Sequence, residues 1–169
     1  MNDAAVEPTA DLVDRFGDEL SSIPVQFRSF GRSRRFAGPA VTVKCFEDNA
    51  LLKATLSSWD EASGAVLVVD GGGSLRCALV GDLIAGIAVE RGWSGLVVSG
   101  CVRDSTALDE LDIGIKALGT NPRKSAKTGA GTVGEPVEIG GVQIQTGQMV
   151  VSDEDGIVVL PRHRRESAG

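Results

Sequence analysis

The chain has 169 residues, a length that fits one domain with a substantial hydrophobic core. It carries 23 acidic and 17 basic residues, and the resulting net charge of −6 argues against direct nucleic-acid binding. Hydrophobic residues make up 42% of the sequence, but no apolar run approaches the ~20 residues that a membrane-spanning helix needs.

The cysteine and histidine content excludes several classes of site. The three cysteines, Cys45, Cys77 and Cys101, are widely separated and form no Cys-x-x-Cys pair, so we expect core residues rather than zinc ligands or redox centres. The single histidine, His163, lies in a polar tail, which argues against Ser-His-Asp catalysis and histidine-ligated metals. The acidic N-terminus has no apolar signal-peptide segment, and we expect a cytoplasmic protein.

The first sixty residues predict a helix, a strand and a second helix. Apolar residues recur at helical spacing over residues 10–20, and they alternate over residues 40–46 as in a strand with one buried face. Asp48 or Asn49 can cap the following helix. That helix carries an apolar stripe formed by Leu52, Leu56 and Trp59.

The middle of the chain predicts two buried strands, each followed by a helix. Residues 65–70 are apolar without alternation, which is typical of a strand buried on both faces. Residues 75–80 fit either a strand or a first helical turn, and we favour a short extended piece. A helix then begins at Gly81–Asp82 and ends at Arg91–Gly92. A strand over residues 95–100 and a short helix over residues 104–110 follow.

The last third has the pattern of short antiparallel strands. A strand over residues 115–118 precedes a polar, glycine-rich loop over residues 119–136. Residues 137–144 read as a hairpin around Gly140–Gly141, and residues 149–160 as two strands around a second turn. Periodicity alone therefore predicts a mixed α/β fold with an antiparallel C-terminal part.

Two glycine-rich segments resemble nucleotide-binding motifs but lie in the wrong context. Gly129–Gly134 matches the dinucleotide fingerprint, which should follow an apolar strand and open a helix. Here it follows a lysine-rich segment and runs into Pro136. Gly71–Gly73 does follow a strand, but no Lys-Ser or Lys-Thr pair comes after it, so a P-loop is excluded.

The most informative pattern is Asp82 followed, after twenty residues, by Arg103–Asp104. Arg103–Asp104 lies just past the end of a predicted strand, where ligands bind in open α/β sheets. Asp82 lies at a predicted helix N-terminus, whose free N–H groups attract anions. One cation, two carboxylates and free amides suit a small anionic keto acid together with a hard divalent metal.

Each of these side chains also has a purely structural interpretation. Asp104 can cap the short helix that starts at Ser105. Arg103 can form an ion pair with an acid of that helix or the following turn, namely Asp109, Glu110 or Asp112. Asp82 can be an ordinary first-turn acid stabilised by the helix dipole. The residues alone leave these alternatives open.

The pattern Asp82-x20-Arg103-Asp104 resembles that of metal-dependent class II pyruvate aldolases of the 4-hydroxy-4-methyl-2-oxoglutarate aldolase type. These enzymes share a fold with the regulator of ribonuclease activity A, and together they form the RraA-like family. The segments that resemble both kinds of protein are Val43–Asn49, Val69–Ser74 and Leu111–Ile115. They are typical of the fold, whereas the two retained acids, Asp82 and Asp104, favour the aldolase.

The resemblance implies an α/β fold, a ββα sandwich of the swivelling-domain type. It implies a single domain over residues 1–169 with a core at about 9–160 and a polar tail at 161–169, assembled as a homotrimer. Asp104 would hold a divalent cation, Mg²⁺ in the first place and Mn²⁺ as the alternative. Arg103 and Asp82 would be catalytic. The substrate-binding set would be Gly81, Asp82, Leu83, Ile84 and Arg103.

The resemblance also implies a small 2-keto acid substrate, with oxaloacetate decarboxylation as a side activity. Selectivity at C4 would involve a neighbouring subunit, with Glu47, Asp48 and the 119–136 loop as candidates. The alternative is a non-catalytic regulator that binds ribonuclease E or another RNA-decay protein, for which an acidic surface is suitable. A methyltransferase is disfavoured, because no strand-linked glycine motif for S-adenosylmethionine is present.

Overall fold

The computed structural model describes residues 6–162, in which four α-helices and twelve β-strands form a mixed α/β fold. The helices are α1 Thr9–Phe16, α2 Ala50–Ser58, α3 Asp82–Glu90 and α4 Ser105–Leu108. The strands are β1 Ser21–Ser22, β2 Arg28–Phe30, β3 Phe36–Lys44, β4 Val66–Asp70, β5 Ala78–Val80, β6 Gly95–Val102, β7 Gly114–Thr120, β8 Thr132–Val133, β9 Val137–Ile139, β10 Val142–Ile144, β11 Met149–Ser152 and β12 Ile157–Val159.

Ten of these strands form one curled sheet. Its order is β1-β12-β11-β3-β4-β6-β7-β2, with β5 added beside β6 and β8 beside β3. The centre, β3-β4-β6-β7 together with β5, is parallel, whereas β1, β2, β8, β11 and β12 pair antiparallel with their neighbours. Strands β9 and β10 form a separate hairpin. The predicted mixed α/β fold with an antiparallel C-terminal part is confirmed.

The central strands are buried on both faces, as the unbroken apolar sequence of residues 65–70 predicted. Leu67 and Val69 belong to a core cluster that also contains residues of α2, α3 and α4. Val66 and Val68, which alternate with them along β4, pack in a second cluster with the β9–β10 hairpin. The sheet therefore lies between a helical layer and a hairpin layer, and the expected ββα sandwich is confirmed.

Several element boundaries differ from the prediction, each for a local reason. The first helix ends at Phe16 rather than near residue 20, because Gly17 takes a positive φ of 56° and a 3₁₀ turn follows. The strand expected at 40–46 begins at Phe36 and ends at Lys44, since its first four residues pair with β11. Strands β1, β2 and β8 have two or three residues each, too few to show a periodicity.

The C-terminal tail lies mostly outside the described residues. Residues 163–169, which include His163, are not described, so the expected frayed tail is not assessed. Within residues 6–162, no helix is both long and apolar enough to cross a membrane.

Candidate active site

The two parts of the Asp82 and Arg103–Asp104 pattern meet because β5 and β6 are parallel neighbours. The Arg103 amide donates to the Val80 carbonyl at 2.9 Å, so the end of β6 lies beside the start of α3. The Asp82 amide then donates to Asp104 Oδ2 at 3.2 Å. The twenty residues between them form α3 and β6, which return the chain to this edge of the sheet.

Asp104 does not cap the helix that follows it, so the structural interpretation of this side chain is wrong. Its main-chain carbonyl accepts the Leu108 amide at 2.8 Å, but its carboxylate makes no hydrogen bond to α4. The carboxylate points to the first amide of α3 instead. Asp104 also has a left-handed backbone (φ 56°, ψ 41°), which costs a non-glycine residue about 1 kcal/mol or more and is concentrated at functional sites.

Arg103 lies against its neighbour rather than against the helix acids. Its Nε is 3.9 Å from Asp104 Oδ2, and its guanidinium donates to the Pro122 carbonyl at 3.5 Å. Asp109, one of its proposed structural partners, accepts the Gly31 amide at 3.0 Å instead. The guanidinium therefore lies at the edge of a pocket, where it can bind a small anion.

The pocket at this edge is lined by all the residues that the sequence proposed for catalysis, substrate binding and metal binding. It has a cavity volume of about 110 Å³. The predicted residues that line it are Gly81, Asp82, Leu83, Ile84, Arg103 and Asp104. The additional lining residues are Asn49, Lys53, Ala78, Lys124, Ser125 and Lys127. Sites for drug-sized ligands begin at ~300 Å³, so the size of this cavity suits a small ligand.

The first turn of α3 presents unpaired amides to this pocket. Gly81 occupies the N-cap position and has no side chain with which to cap the helix. The Asp82 amide is used by Asp104, which leaves those of Leu83 and Ile84 for an anion. The Ile84 side chain is buried in the core, so its contribution to the pocket is that of its backbone.

Gly81 packs closely against Arg103 and Asp104, and we predict that Gly81→Ala lowers any activity of this site about 100-fold without unfolding the protein. A Cβ at this position would lie 2.7 Å from Asp104 Oδ2 and 3.3 Å from Arg103 Cγ, so both side chains would have to move. Misplacement of reacting groups by about 1 Å can cost ~100-fold in rate. The Gly81 φ of −123° suits any residue, so the free energy of unfolding should change little.

Gly86→Ala is the matched control for this experiment. Gly86 lies in the same helix, but a Cβ there meets nothing within 4 Å. This variant should keep full activity and gain up to ~1 kcal/mol of stability. Steady-state kinetics and urea unfolding of both variants check the prediction. Unchanged activity in Gly81→Ala would show that the spacing of Arg103 and Asp104 is not critical.

The 119–136 loop, which the sequence suggested for selectivity on a neighbouring subunit, lines the pocket within the same chain, and the sequence did not assign its lysines to that pocket. The loop is bound to the rest of the fold by backbone hydrogen bonds, from Ala78 N to Arg123 O at 2.8 Å and from Asn49 N to Ala126 O at 3.1 Å. These bonds bring Lys124 and Lys127 to the pocket wall. The only sequence signal was the group of basic residues Arg123, Lys124 and Lys127 in a loop with one acid, Glu135, and such a signal is weak on its own.

Asp48 holds this loop in place through hydrogen bonds to its carboxylate. Its carboxylate accepts hydrogen bonds from the Thr128 hydroxyl (2.6 Å), the Thr128 amide (2.7 Å) and the amides of Gly129 and Ala50 (both 3.2 Å). These bonds, of which that from the Thr128 hydroxyl contributes most, outweigh burial and lower the Asp48 pKa from 3.8 to about 2. Glu47, the other acid suggested for selectivity, pairs with Arg76 outside the pocket.

We predict that Asp48→Asn destabilises the fold by about 2 kcal/mol at pH 7, because an amide cannot match a carboxylate that accepts four N–H and O–H donors. Since folding lowers the pKa of Asp48, its stabilising effect is complete above about pH 4 and is lost as the pH falls through about 2. The difference in unfolding free energy between wild type and variant should therefore shrink from pH 5 to pH 2.

Urea unfolding at a series of pH values measures this difference. Asp60→Asn, at an exposed position, is the control and should change stability by less than ~0.5 kcal/mol. A difference between wild type and Asp48→Asn that stays constant with pH would contradict the assignment.

The acidic groups of the pocket fit a hard, hydrated cation. Among residues 6–162 there is no cluster of three or more His, Cys, Asp or Glu side chains that could enclose a metal. Asp104 has one carboxylate oxygen engaged by the Asp82 amide and is open to the pocket. Mg²⁺ binds through one or two carboxylates and keeps several waters, so this donor set fits it, or Mn²⁺, better than zinc.

Comparison with known proteins shows the same fold over nearly the whole chain. A solved S-adenosylmethionine:2-dimethylmenaquinone methyltransferase from Geobacillus kaustophilus is 45% identical, with a TM-score of 0.90 over 96% of this chain and 100% of that one. The RNA-processing inhibitor RraA from Thermus is 44% identical, with a TM-score of 0.88 over 96% and 98%. Streptomyces coelicolor RraAS2, described as an unusual member of the RNase ES inhibitor RraA family, is 28% identical, with a TM-score of 0.76 over 94% and 82%.

The family assignment follows from a match that includes the whole pocket. The family model described as RraA-like, Aldolase/RraA, matches residues 9–159. That range contains all the strands of the sheet and every residue that lines the pocket. The chain therefore belongs to the RraA-like family.

Proposed function

We propose that this chain is a divalent-metal-dependent class II pyruvate aldolase that cleaves 4-hydroxy-4-methyl-2-oxoglutarate, with oxaloacetate decarboxylation as a side activity. The observation that carries the proposal is the convergence of Arg103, Asp104, Asp82 and the first amides of α3 on one cavity of about 110 Å³. The cavity lies at the carboxyl ends of β5 and β6, where α/β folds bind ligands.

Asp104 is the residue that would hold the cation, with water as its remaining ligands. When bound, a divalent cation supplies Lewis-acid polarisation of a keto oxygen and stabilises negative charge that develops there. The hydrogen bond from the Asp82 amide orients the Asp104 carboxylate, and the rigid start of α3 keeps it in place.

Arg103 and the α3 amides bind the keto acid. The amides of Leu83 and Ile84 donate to its carboxylate, where the positive end of the helix dipole favours an anion. The Arg103 fork donates to the keto oxygen and stabilises the enolate as the C3–C4 bond breaks. These donors are part of the folded backbone and of a neighbouring side chain, so they are in place before the reaction starts.

Asp82 takes part in proton transfer. Its carboxylate is exposed at the pocket and can hold a water that removes the C4 hydroxyl proton. The C4–O bond becomes a carbonyl, the C3–C4 bond breaks, and its electron pair forms the enolate of pyruvate. Return of the proton to C3 gives pyruvate. With oxaloacetate the same electron flow releases CO₂, and no hydroxyl proton has to be removed.

Pyruvate release from each substrate tests this function. We expect release from both 4-hydroxy-4-methyl-2-oxoglutarate and oxaloacetate with Mg²⁺, and its loss after treatment with a chelator. Addition of Mg²⁺ or Mn²⁺ should restore the activity. Release that survives exhaustive chelation would contradict the metal assignment, and no release from either substrate would contradict the aldolase.

A second candidate function is regulation of RNA decay. Two of the structural relatives are named as an RNA-processing inhibitor and as a member of an RNase ES inhibitor family. A non-catalytic chain of this kind would bind a ribonuclease E-type protein in the cytoplasm. Inhibition of purified ribonuclease E by this chain, with no pyruvate release, would favour it. Transfer of a methyl group from S-adenosylmethionine is not proposed, since the sequence has no strand-linked glycine motif for that cofactor.

We also propose that the chain forms a trimer with its active sites near the subunit contacts. Several large apolar side chains are exposed near the carboxyl ends of the strands, among them Phe46, Leu75 and Leu83, and a partner subunit would cover them. Light scattering at micromolar concentration should report three times the mass of 17.5 kDa. A monomer at that concentration would contradict the prediction.

A further inference from the structure

The walls of the pocket carry more positive charge than a keto acid with one carboxylate requires. Four cationic side chains line it, namely Lys53, Arg103, Lys124 and Lys127, against the two carboxylates of Asp82 and Asp104. This excess is local, because the chain as a whole has a net charge of −6. A pocket of this kind attracts an anion with more than one negative group.

The lysines are not used to neutralise acids of the fold. Arg103 lies beside Asp104, whereas neither Lys53 nor Lys124 is in an ion pair among the described residues. Lys127 donates to Asn49 Oδ1 at 3.3 Å, which leaves its charge without a counter-ion. Within residues 6–162, a ligand would therefore have no ion pair of Lys53 or Lys124 to displace.

The same wall contains a polar atom without a partner. Ser125, which follows Lys124 in the chain, also lines the pocket, and the residue is 9% exposed. Its hydroxyl oxygen is buried and has no hydrogen-bond partner among the described residues. Buried hydroxyls are normally paired, so this one is available to a ligand or a bound water.

The backbone that carries these groups is held firmly. Residues 123–126 are hydrogen-bonded to Ala78, Glu47 and Asn49, and the Asp48 carboxylate binds the next turn at Thr128 and Gly129. Lys53 comes from α2, whose first turn is hydrogen-bonded to the same carboxylate through the Ala50 amide. A charged wall built on a fixed backbone can discriminate between ligands.

We propose that Lys53 and Lys124, with the Ser125 hydroxyl, bind the distal carboxylate of a dicarboxylic 2-keto acid and select diacids over keto acids with an uncharged tail. The inference rests on the proposed function, in which Arg103 and the α3 amides hold the keto-acid end. Lys53 belongs to α2 and the other two residues to the 119–136 loop, whereas the groups proposed for the keto-acid end belong to the start of α3 and the segment after β6. The second carboxylate would offset part of the excess charge.

Calorimetric titration with two ligands of equal length tests this subsite. With Mg²⁺ present, 2-oxoglutarate and 2-oxopentanoate are titrated into the full chain; they differ only in a carboxylate or methyl at the far end. We expect wild type to prefer the diacid, and the preference to fall with added salt. Lys53→Met and Lys124→Met should each lower the ratio of affinities about tenfold, and the double variant about a hundredfold.

Arg123→Met is the matched control, because it removes a cation next to Lys124 that does not line the pocket. Its affinity ratio should equal that of wild type. Equal affinity of wild type for the two ligands, binding of neither, or a ratio that the lysine variants leave unchanged would overturn the subsite. If the affinity ratio depends on the lysines but no pyruvate is released, the subsite is supported and the aldolase is overturned. If pyruvate is released but the ratio does not depend on the lysines, the aldolase is supported and the subsite is overturned.

Discussion

Asp104→Asn is expected to lower the rate of pyruvate release by about a thousandfold or more. The amide keeps the size of the side chain and an oxygen that can accept the Asp82 amide, so the start of α3 should keep its position. It removes the negative charge that would hold the cation, and with it the Lewis-acid contribution to the reaction. Excess Mg²⁺ should restore little activity, because the amide oxygen is a much weaker ligand for a hard cation.

Oxaloacetate decarboxylation at increasing Mg²⁺ measures this effect, and circular dichroism checks the fold. Glu110→Gln is a suitable control. It also neutralises an exposed acid beside α4, the helix that follows Asp104, but Glu110 does not line the pocket. It should behave as wild type. If the activity of Asp104→Asn recovers fully at high Mg²⁺, the loss is due to weakened Mg²⁺ affinity alone. If the variant is as active as wild type without added metal, Asp104 does not have the proposed role.

Arg103→Lys is expected to reduce kcat/KM about a hundredfold while the affinity for Mg²⁺ stays close to that of wild type. Lysine retains the charge but not the planar fork that can donate to two oxygens at once. Loss of one preorganised donor at a developing oxyanion typically costs ~3 kcal/mol. The loss should appear mainly in kcat, because the donor matters most when the enolate forms.

The two variants together decide between the proposed functions. Arg103→Lys tests charge stabilisation during the reaction, and Asp104→Asn tests metal binding, so they should fail in different ways. If both retain wild-type decarboxylation while folded, the assigned site is wrong and any activity arises elsewhere in the chain. If wild type has no activity at all, the regulator becomes the better interpretation, and the pocket would then serve binding only.

The sequence determined the central architecture because its signals are local. The unbroken apolar run at residues 65–70 indicated a strand buried on both faces, and β4 is packed on both. The glycines around residues 81 and 92 placed the ends of α3 correctly, since they act through the nearest turns of the backbone. The sequence also named Asp82, Arg103 and Asp104, which the structure brings to one pocket.

Only the tertiary structure decided how these residues are oriented and what else surrounds them. An aspartate before a helix normally caps it, but at Asp104 the adjacent start of α3 provides the amide that the carboxylate binds. Lys53 and Lys124 are 71 positions apart and belong to a helix and a loop, so no local pattern connects them. They share a pocket because Asp48 binds the loop to the start of α2 through contacts 80 residues distant in sequence. Periodicity and capping signals describe one element at a time, whereas the position of a loop depends on hydrogen bonds that exist only once the sheet has formed.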